Sequence, residues 1–156
     1  MSAIVINGYS PAQAPVLEND LYGSEPYDYN FCVPVDLDHL ETDRVALTPL
    51  EPRVHALHWF EQASRDPSFE GWMSFRNDTL EQLLRRLETW RRNPMMLVLA
   101  IIDKGRPSQE LVVPGGSFAG IIGLVQYSSQ DLSVKMGPVM VFPPFQRTYV
   151  TSSAIG

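Results

Sequence analysis

Three apolar runs of strand length, residues 95–102, 118–126 and 134–142, most constrain what this chain can fold into. Each is far shorter than the roughly 20 residues a membrane helix needs, so the expectation is a chain with no membrane partner. The first run is apolar throughout, as in a strand covered on both faces. The connection over residues 103–117, with Gly105, Pro107 and Pro114-Gly115-Gly116, is long for a hairpin, while residues 126–133 make a shorter polar turn.

Upstream, residues 44–50 alternate well enough for one more strand, broken at Pro49. Pro52 is placed to open a helix at its first position, with Ala56, Trp59, Phe60 and Ala63 at helical spacing behind it. Asp78 reads as the N-cap of a second helix, with Glu81 as its capping-box partner, and Asn93-Pro94 as its end. Leu80, Leu83, Leu84, Leu87 and Trp90 form its apolar stripe, and Arg85, Arg86, Arg91 and Arg92 fall on the remaining, solvated surface. The order strand, helix, helix and three-stranded meander predicts an α+β fold with a mainly antiparallel sheet.

Charge divides the chain. Residues 1–43 carry −8 against −6 for the whole, which leaves the remainder mildly basic at +2. Clustered cations of the kind nucleic acid requires are missing from this pattern, although a small polyanion could still be held at one place. The acidic stretch reads as an N-terminal arm, partly disordered and ordered only where Tyr22, Tyr27 and Tyr29 find a surface. A sharper reading makes it an acidic, aromatic flap that attracts a cationic amine. At 44% hydrophobic and 19% charged residues, the chain as a whole is too apolar to be disordered.

Cys32 is the single cysteine, so no internal disulfide is available, and it is expected to sit buried or half-buried as a small hydrophobe. His55 and His58 lie three apart on the first helix with no third ligand at metal spacing. They are expected at the surface or partly packed, and no metal is expected. The first 14 residues show no targeting segment, which fits a cytoplasmic location, with the nucleus left open.

The residues with most chemical content are the last 21. The strand ending at Phe142 meets Pro143-Pro144, and Thr148, Thr151, Ser152 and Ser153 offer N-caps for a terminal helix of about one turn. Such a junction gathers backbone N–H groups suited to an anion, and Arg147 adds a charged donor.

From Asn30 to Gly156 the chain resembles fungal GNAT-family N-acetyltransferases of the ribosomal-protein-acetylating type. The likeness rests on Asp43-Arg44-Val45 with Leu47-Thr48-Pro49, the two amphipathic helices, and Ala119-Gly120-Ile121-Ile122-Gly123-Leu124. Met136-Gly137-Pro138-Val139-Met140-Val141, running into Pro143-Pro144-Phe145-Gln146-Arg147-Thr148, completes it. The resemblance implies that residues 44–156 are an incomplete N-acetyltransferase domain, the N-terminal portion of the GNAT fold cut off after its acyl-CoA loop. It further implies acetyl-CoA as acyl donor. Val139, Met140, Val141 and Phe142 would pair through their backbone with the pantetheine arm. Gln146, Arg147, Thr148, Tyr149, Val150 and Thr151 would wrap the pyrophosphate, in the manner of a Gln/Arg-x-x-Gly-x-Gly/Ala signature. Tyr149 and Thr151 stand where that signature has glycine or alanine, Lys135 where many relatives have glutamate, and Pro138 where many have an aromatic residue. The implied acceptor is a primary amine of a protein or small molecule, with no catalytic base identifiable. Turnover is expected to be impaired, with self-association through the exposed edge of the strand ending at Phe142. The alternative is a non-catalytic remnant or interaction module that uses the sheet to contact a partner.

Overall fold

The computed structural model describes residues 16–71, 73, 75–106 and 110–156. The leader without a targeting pattern, and Pro107 in the long connection, lie outside the described residues. In chain order the elements are β1 (Val45–Pro49), α1 (Pro52–Arg65), α2 (Leu80–Arg92), β2 (Leu97–Asp103), β3 (Val112–Val113), β4 (Gly116–Ser128), β5 (Ser133–Val141) and α3 (Tyr149–Ile155). The strands form one antiparallel sheet in the order β1–β2–β4, with β3 pairing the start of β4 and β5 pairing the rest of it. The α+β class and the antiparallel meander stand as read from the sequence.

Local chemistry explains where the boundaries moved. Asn93 accepts the Met95 N–H through Oδ1 at 3.0 Å and the Met96 N–H through its carbonyl at 3.1 Å, so β2 begins only at Leu97. The 103–117 connection is not plain loop, because Val112–Val113 pairs with β4. The α2 N-cap is Thr79 rather than Asp78: its hydroxyl accepts the Gln82 N–H at 3.2 Å. The Gln82 side chain returns the favour to the Asp78 N–H at 2.8 Å, a capping exchange one residue further on than Glu81 would give. At the end of the chain α3 has seven residues, two turns where one was expected.

The core follows the periodicities. Pro52 opens α1, and Ala56 and Trp59 are buried beneath it. Leu83, Leu84 and Leu87 of α2 are buried, each contributing roughly 1.5–3 kcal/mol by leaving water. All of β2 but Val98 is buried, as its unbroken apolar run requires. Two glycines let β5 approach β4. A Cβ on Gly120 would stand 2.1 Å from the Met140 carbonyl oxygen, and one on Gly123 would stand 2.5 Å from that of Gly137. The register shifts between Ile122 and Leu124, opposite Gly137-Pro138. Close strand contact is the reason for glycine at both places.

Residues 16–43 pack on α2 and β1 through polar contacts the sequence reading did not foresee. Arg85, Arg91 and Arg92 are not simply solvated. Arg85 donates to the Val16 carbonyl, Arg91 to the Asp28 carbonyl at 3.1 Å, and Arg92 to Asp20 at 3.0 Å. Asn30 in turn donates to the Arg91 carbonyl at 3.1 Å, at the C-terminal end of α2. Beneath them Glu88 is 1% exposed and takes hydrogen bonds of 2.7–2.8 Å from both Arg91 and Arg92. Burial pushes its carboxyl up, but those two guanidinium groups outweigh burial and hold it below the ordinary value. Tyr27 and Tyr29 line a small cavity with Leu50, Leu87 and Trp90, and burial pushes the Tyr27 phenol up. Cys32, expected to be at least half-buried, is exposed, with its Sγ 3.9 Å from the Met95 sulfur.

Candidate functional site

The candidate site is built where β5 runs into α3. The Phe142 N–H donates to the Ala119 carbonyl at 2.8 Å, so Phe142 faces β4 in a hydrogen-bonded pair. Antiparallel pairing alternates: Met140, opposite Ile121, is again turned inward, while Val139 and Val141 turn their N–H and C=O away from β4. Among the described residues no strand pairs with that outer edge. The strand therefore presents two outward backbone positions, Val139 and Val141, and two spent ones, Met140 and Phe142.

Phe142 fixes the end of this edge. Its ring meets Phe118 edge-on at 4.8 Å, and Phe118 meets His55 of α1 at 4.8 Å. His55 is buried rather than at the surface or partly packed as expected, and its Nδ1 lies 3.0 Å from the Glu51 backbone nitrogen. Burial lowers its pKa to about 4, so the ring is neutral at pH 7.

Beyond Phe142 the chain turns through a short 3-10 segment, Pro143–Phe145, anchored by the buried Phe145. Gln146 then folds back, and its side-chain Nε2 donates to the Val141 carbonyl at 3.0 Å. Arg147 has φ 58, the left-handed region that glycine favours. The two residues read as replacing glycines behave otherwise: Tyr149 and Thr151 lie inside α3. A tyrosine is tolerated there because the backbone reversal falls two residues earlier. Thr148 is the N-cap, its hydroxyl donating to the Phe145 carbonyl at 2.6 Å and accepting the Val150 N–H at 3.3 Å. Among the described residues, nothing accepts from the N–H groups of Arg147 and Thr148. Val150 is fully buried and seats the helix.

Sequence reasoning missed what holds α3 down. Tyr149 donates its hydroxyl to Asp103 Oδ1 at 2.5 Å, and the Gly105 N–H donates to the same oxygen at 2.9 Å. That hydrogen bond, then burial, raises the Tyr149 pKa. Asp103 is 1% exposed, and its Oδ2 has no hydrogen-bond partner among the described residues. Arg44 and Arg106 lie 5.1 and 5.5 Å from the Tyr149 ring centre. The available signal was a lone carboxylate ending an otherwise apolar strand. A second, open cleft of about 530 Å³ lies between the arm and α1, lined by Tyr22, Glu25, Tyr27, Glu51 and Arg53. Arg53 already pairs with Glu25, so Glu51 is the carboxylate there without an ion pair among the described residues. Among those residues no cluster of three metal-ligating side chains occurs, and no helix is long and apolar enough to cross a membrane.

No protein-family model and no curated protein matches the sequence. Solved structures do match the fold. A probable GNAT-family acetyltransferase from Chromobacterium violaceum superposes with a TM-score of 0.63 at 17% identity, covering 74% of this chain and 55% of its own. A GCN5-related N-acetyltransferase from Brucella melitensis gives 0.61 at 20% identity, covering 74% of this chain and 50% of its own. An acetyltransferase from Thermus thermophilus gives 0.52 at 15%, covering 74% and 66%. The chain thus has the GNAT fold and spans about half the length of the first two of these structures.

Proposed function

We propose that this chain carries the acyl-CoA-binding strand and loop of an N-acetyltransferase that acetylates a primary amine. The observation that carries the reading is the outward backbone edge of Val139 and Val141 leading directly into a turn whose N–H groups at Arg147 and Thr148 are unengaged among the described residues. An amide-bearing arm fits the first, because it can add to a strand edge as another strand does. A pyrophosphate fits the second, where Arg147 adds a charge-assisted bond.

In this reading Val139 and Val141 align the pantetheine amides, Phe142 holds the strand end in place, and Gln146, Arg147 and Thr148 receive the phosphates. Tyr149, Val150 and Thr151 contribute as the first turn of α3. Acetyl-CoA supplies the activated acetyl group, as a thioester that an amine can attack directly. No residue is assigned as base. Lys135, at the position where many GNAT relatives have glutamate, is exposed and brings no carboxylate to take a proton from the amine. Weak or undetectable turnover by residues 1–156 is therefore part of the proposal, as are a cytoplasmic location and kinship with the fungal ribosomal-protein-acetylating branch. The acceptor would be a protein or small-molecule amine, with neither nucleic acid nor membrane as partner.

Titration of the chain with CoA and acetyl-CoA, followed calorimetrically, tests this. Binding should weaken with salt, and Arg147→Ala should weaken it by about 1–3 kcal/mol. Equal affinity in variant and parent would remove Arg147 from the site.

A second reading rests on a different observation. Val134, Met136 and Val139 on β5 are each more than 40% exposed along an unpaired edge. Such an edge pairs with other strands, so a non-catalytic module that uses the sheet to contact a partner is the alternative, and self-association through β5 is the form of it that the edge favours. Sedimentation over a concentration series checks it: a monomer at every concentration would dismiss it.

A further inference from the structure

The Val141 carbonyl is turned away from β4, yet it is not free, because the Gln146 side chain occupies it at 3.0 Å. The contact is local and held in place by its surroundings. Phe145 is buried, its N–H bonds the Phe142 carbonyl at 2.9 Å, and the Gln146 N–H returns to the Pro143 carbonyl at 3.3 Å. The backbone of Gln146 is thereby fixed beside the strand edge, while its side chain remains exposed and free to rotate away. A primary carboxamide offers the Val141 oxygen the same N–H donor that an extended, amide-containing ligand would offer.

We infer that Gln146 is a built-in competitor at this edge, its side chain standing where the N–H of a bound pantetheine arm would bond Val141, so that ligand must displace it. The inference rests on the acyl-CoA reading above and adds a residue that sets affinity by occupying the site in advance. Displacement exchanges one neutral hydrogen bond for another. The competition therefore costs the ligand no more than such a bond is worth, roughly threefold to tenfold in affinity. It acts on the arm and not on the nucleotide, because the Val141 carbonyl is an acceptor and has nothing to offer a phosphate. Once displaced, the carboxamide becomes an added donor at the turn that already holds the open N–H groups of Arg147 and Thr148.

The test separates the two halves of the ligand. Pantetheine, which carries the amides without phosphates, and 3′,5′-ADP, which carries phosphates without amides, are titrated into the parent, Gln146→Ala and Gln146→Glu by NMR. In the ligand-free protein, loss of the donor should move the Val141 carbonyl carbon resonance in both variants. Pantetheine should bind both variants roughly threefold to tenfold more tightly than the parent, whereas 3′,5′-ADP should bind no more tightly to Gln146→Ala and more weakly to Gln146→Glu. Pantetheine affinity that is equal or lower in Gln146→Ala overturns the inference and leaves the acyl-CoA reading in place. Failure of CoA, pantetheine and 3′,5′-ADP alike to bind the parent and both variants, with the Val141 resonance still moving, overturns the acyl-CoA reading and the inference with it.

Discussion

Along α2, Arg85, Arg91 and Arg92 each reach a partner: Glu81 and the Val16 carbonyl, Glu88 and the Asp28 carbonyl, Glu88 and Asp20. Around the start of α3, Arg44, Arg106 and Arg147 form no ion pair among the described residues, and two of them lie against the Tyr149 ring. Backbone groups divide the same way. The exposed end of α2 is met by Asn30, whereas among the described residues the edge at Val139 and Val141 is answered only by the Gln146 side chain. Charges with partners inside the chain are consumed in holding it together. Charges and amides left open on a fixed scaffold remain available for something else. The first flank is therefore structural, and the second is where binding is proposed.

The contrast breaks most readily at Glu88. Glu88→Ala leaves two partly buried guanidinium groups without their common carboxylate and should cost about 3–5 kcal/mol in urea denaturation. A cost below about 0.5 kcal/mol, that of an ordinary surface change, would mean the α2 flank is not held by its charges.

Next comes His55, which links α1 to the open flank through Phe118. Its folded pKa of about 4 lies below the usual 6.5. The neutral ring is therefore favoured by folding. The associated stability is complete above pH 6.5 and is lost as pH falls towards 4, in total about 3 kcal/mol. Glu88, whose pKa is depressed, adds its own loss only below the ordinary carboxylate range. His55→Gln should flatten the interval between pH 6.5 and 4 while leaving the more acidic loss. An unchanged slope in that variant would show that His55 does not titrate with folding.

Tyr149→Phe removes the donor to a buried carboxylate that already has one oxygen unanswered among the described residues. A loss of about 1.5–3 kcal/mol is expected, together with weaker CoA binding because α3 is the support of the turn. Full stability in the variant would mean that Asp103 does not anchor α3. The smallest effect belongs to Arg147→Gly. The left-handed φ costs an ordinary residue about 1–2 kcal/mol, and glycine gives back up to about 1 kcal/mol as chain entropy. Stability should therefore change by about 1 kcal/mol or less while CoA binding falls as in the alanine variant. A larger loss of stability would place Arg147 among the structural arginines and erase the contrast.

How much of this was legible depends on the range of the interaction. The apolar runs announced β2, β4 and β5, Pro52 opened α1, and the leucine stripe set the buried face of α2, because each pattern is written within one element. The arginine contacts were not legible: Arg91 meets Asp28 and Arg92 meets Asp20 across more than 60 residues, and on a helix surface such arginines look solvated. Asp103 resembled the start of a loop until Tyr149, 46 residues later, was brought onto it. At the site, the Gln146-Arg147-Thr148 sequence marked the turn. It did not mark Arg147 as the left-handed residue, because nothing local separates that position from Tyr149 or Thr151.

The alternation along the last residues of β5 has a consequence in time as well as in space. Amides that donate inside the protein wait for an opening fluctuation before trading hydrogen for deuterium, whereas outward amides need no such event. In D₂O the signals of Met140 and Phe142 should therefore persist long after those of Val139 and Val141 have gone, though all four belong to one continuous run of chain. Four neighbouring clocks, two slow and two fast, are thus built into the strand, and whatever comes to lie along it can be recognised by which fast clock it slows.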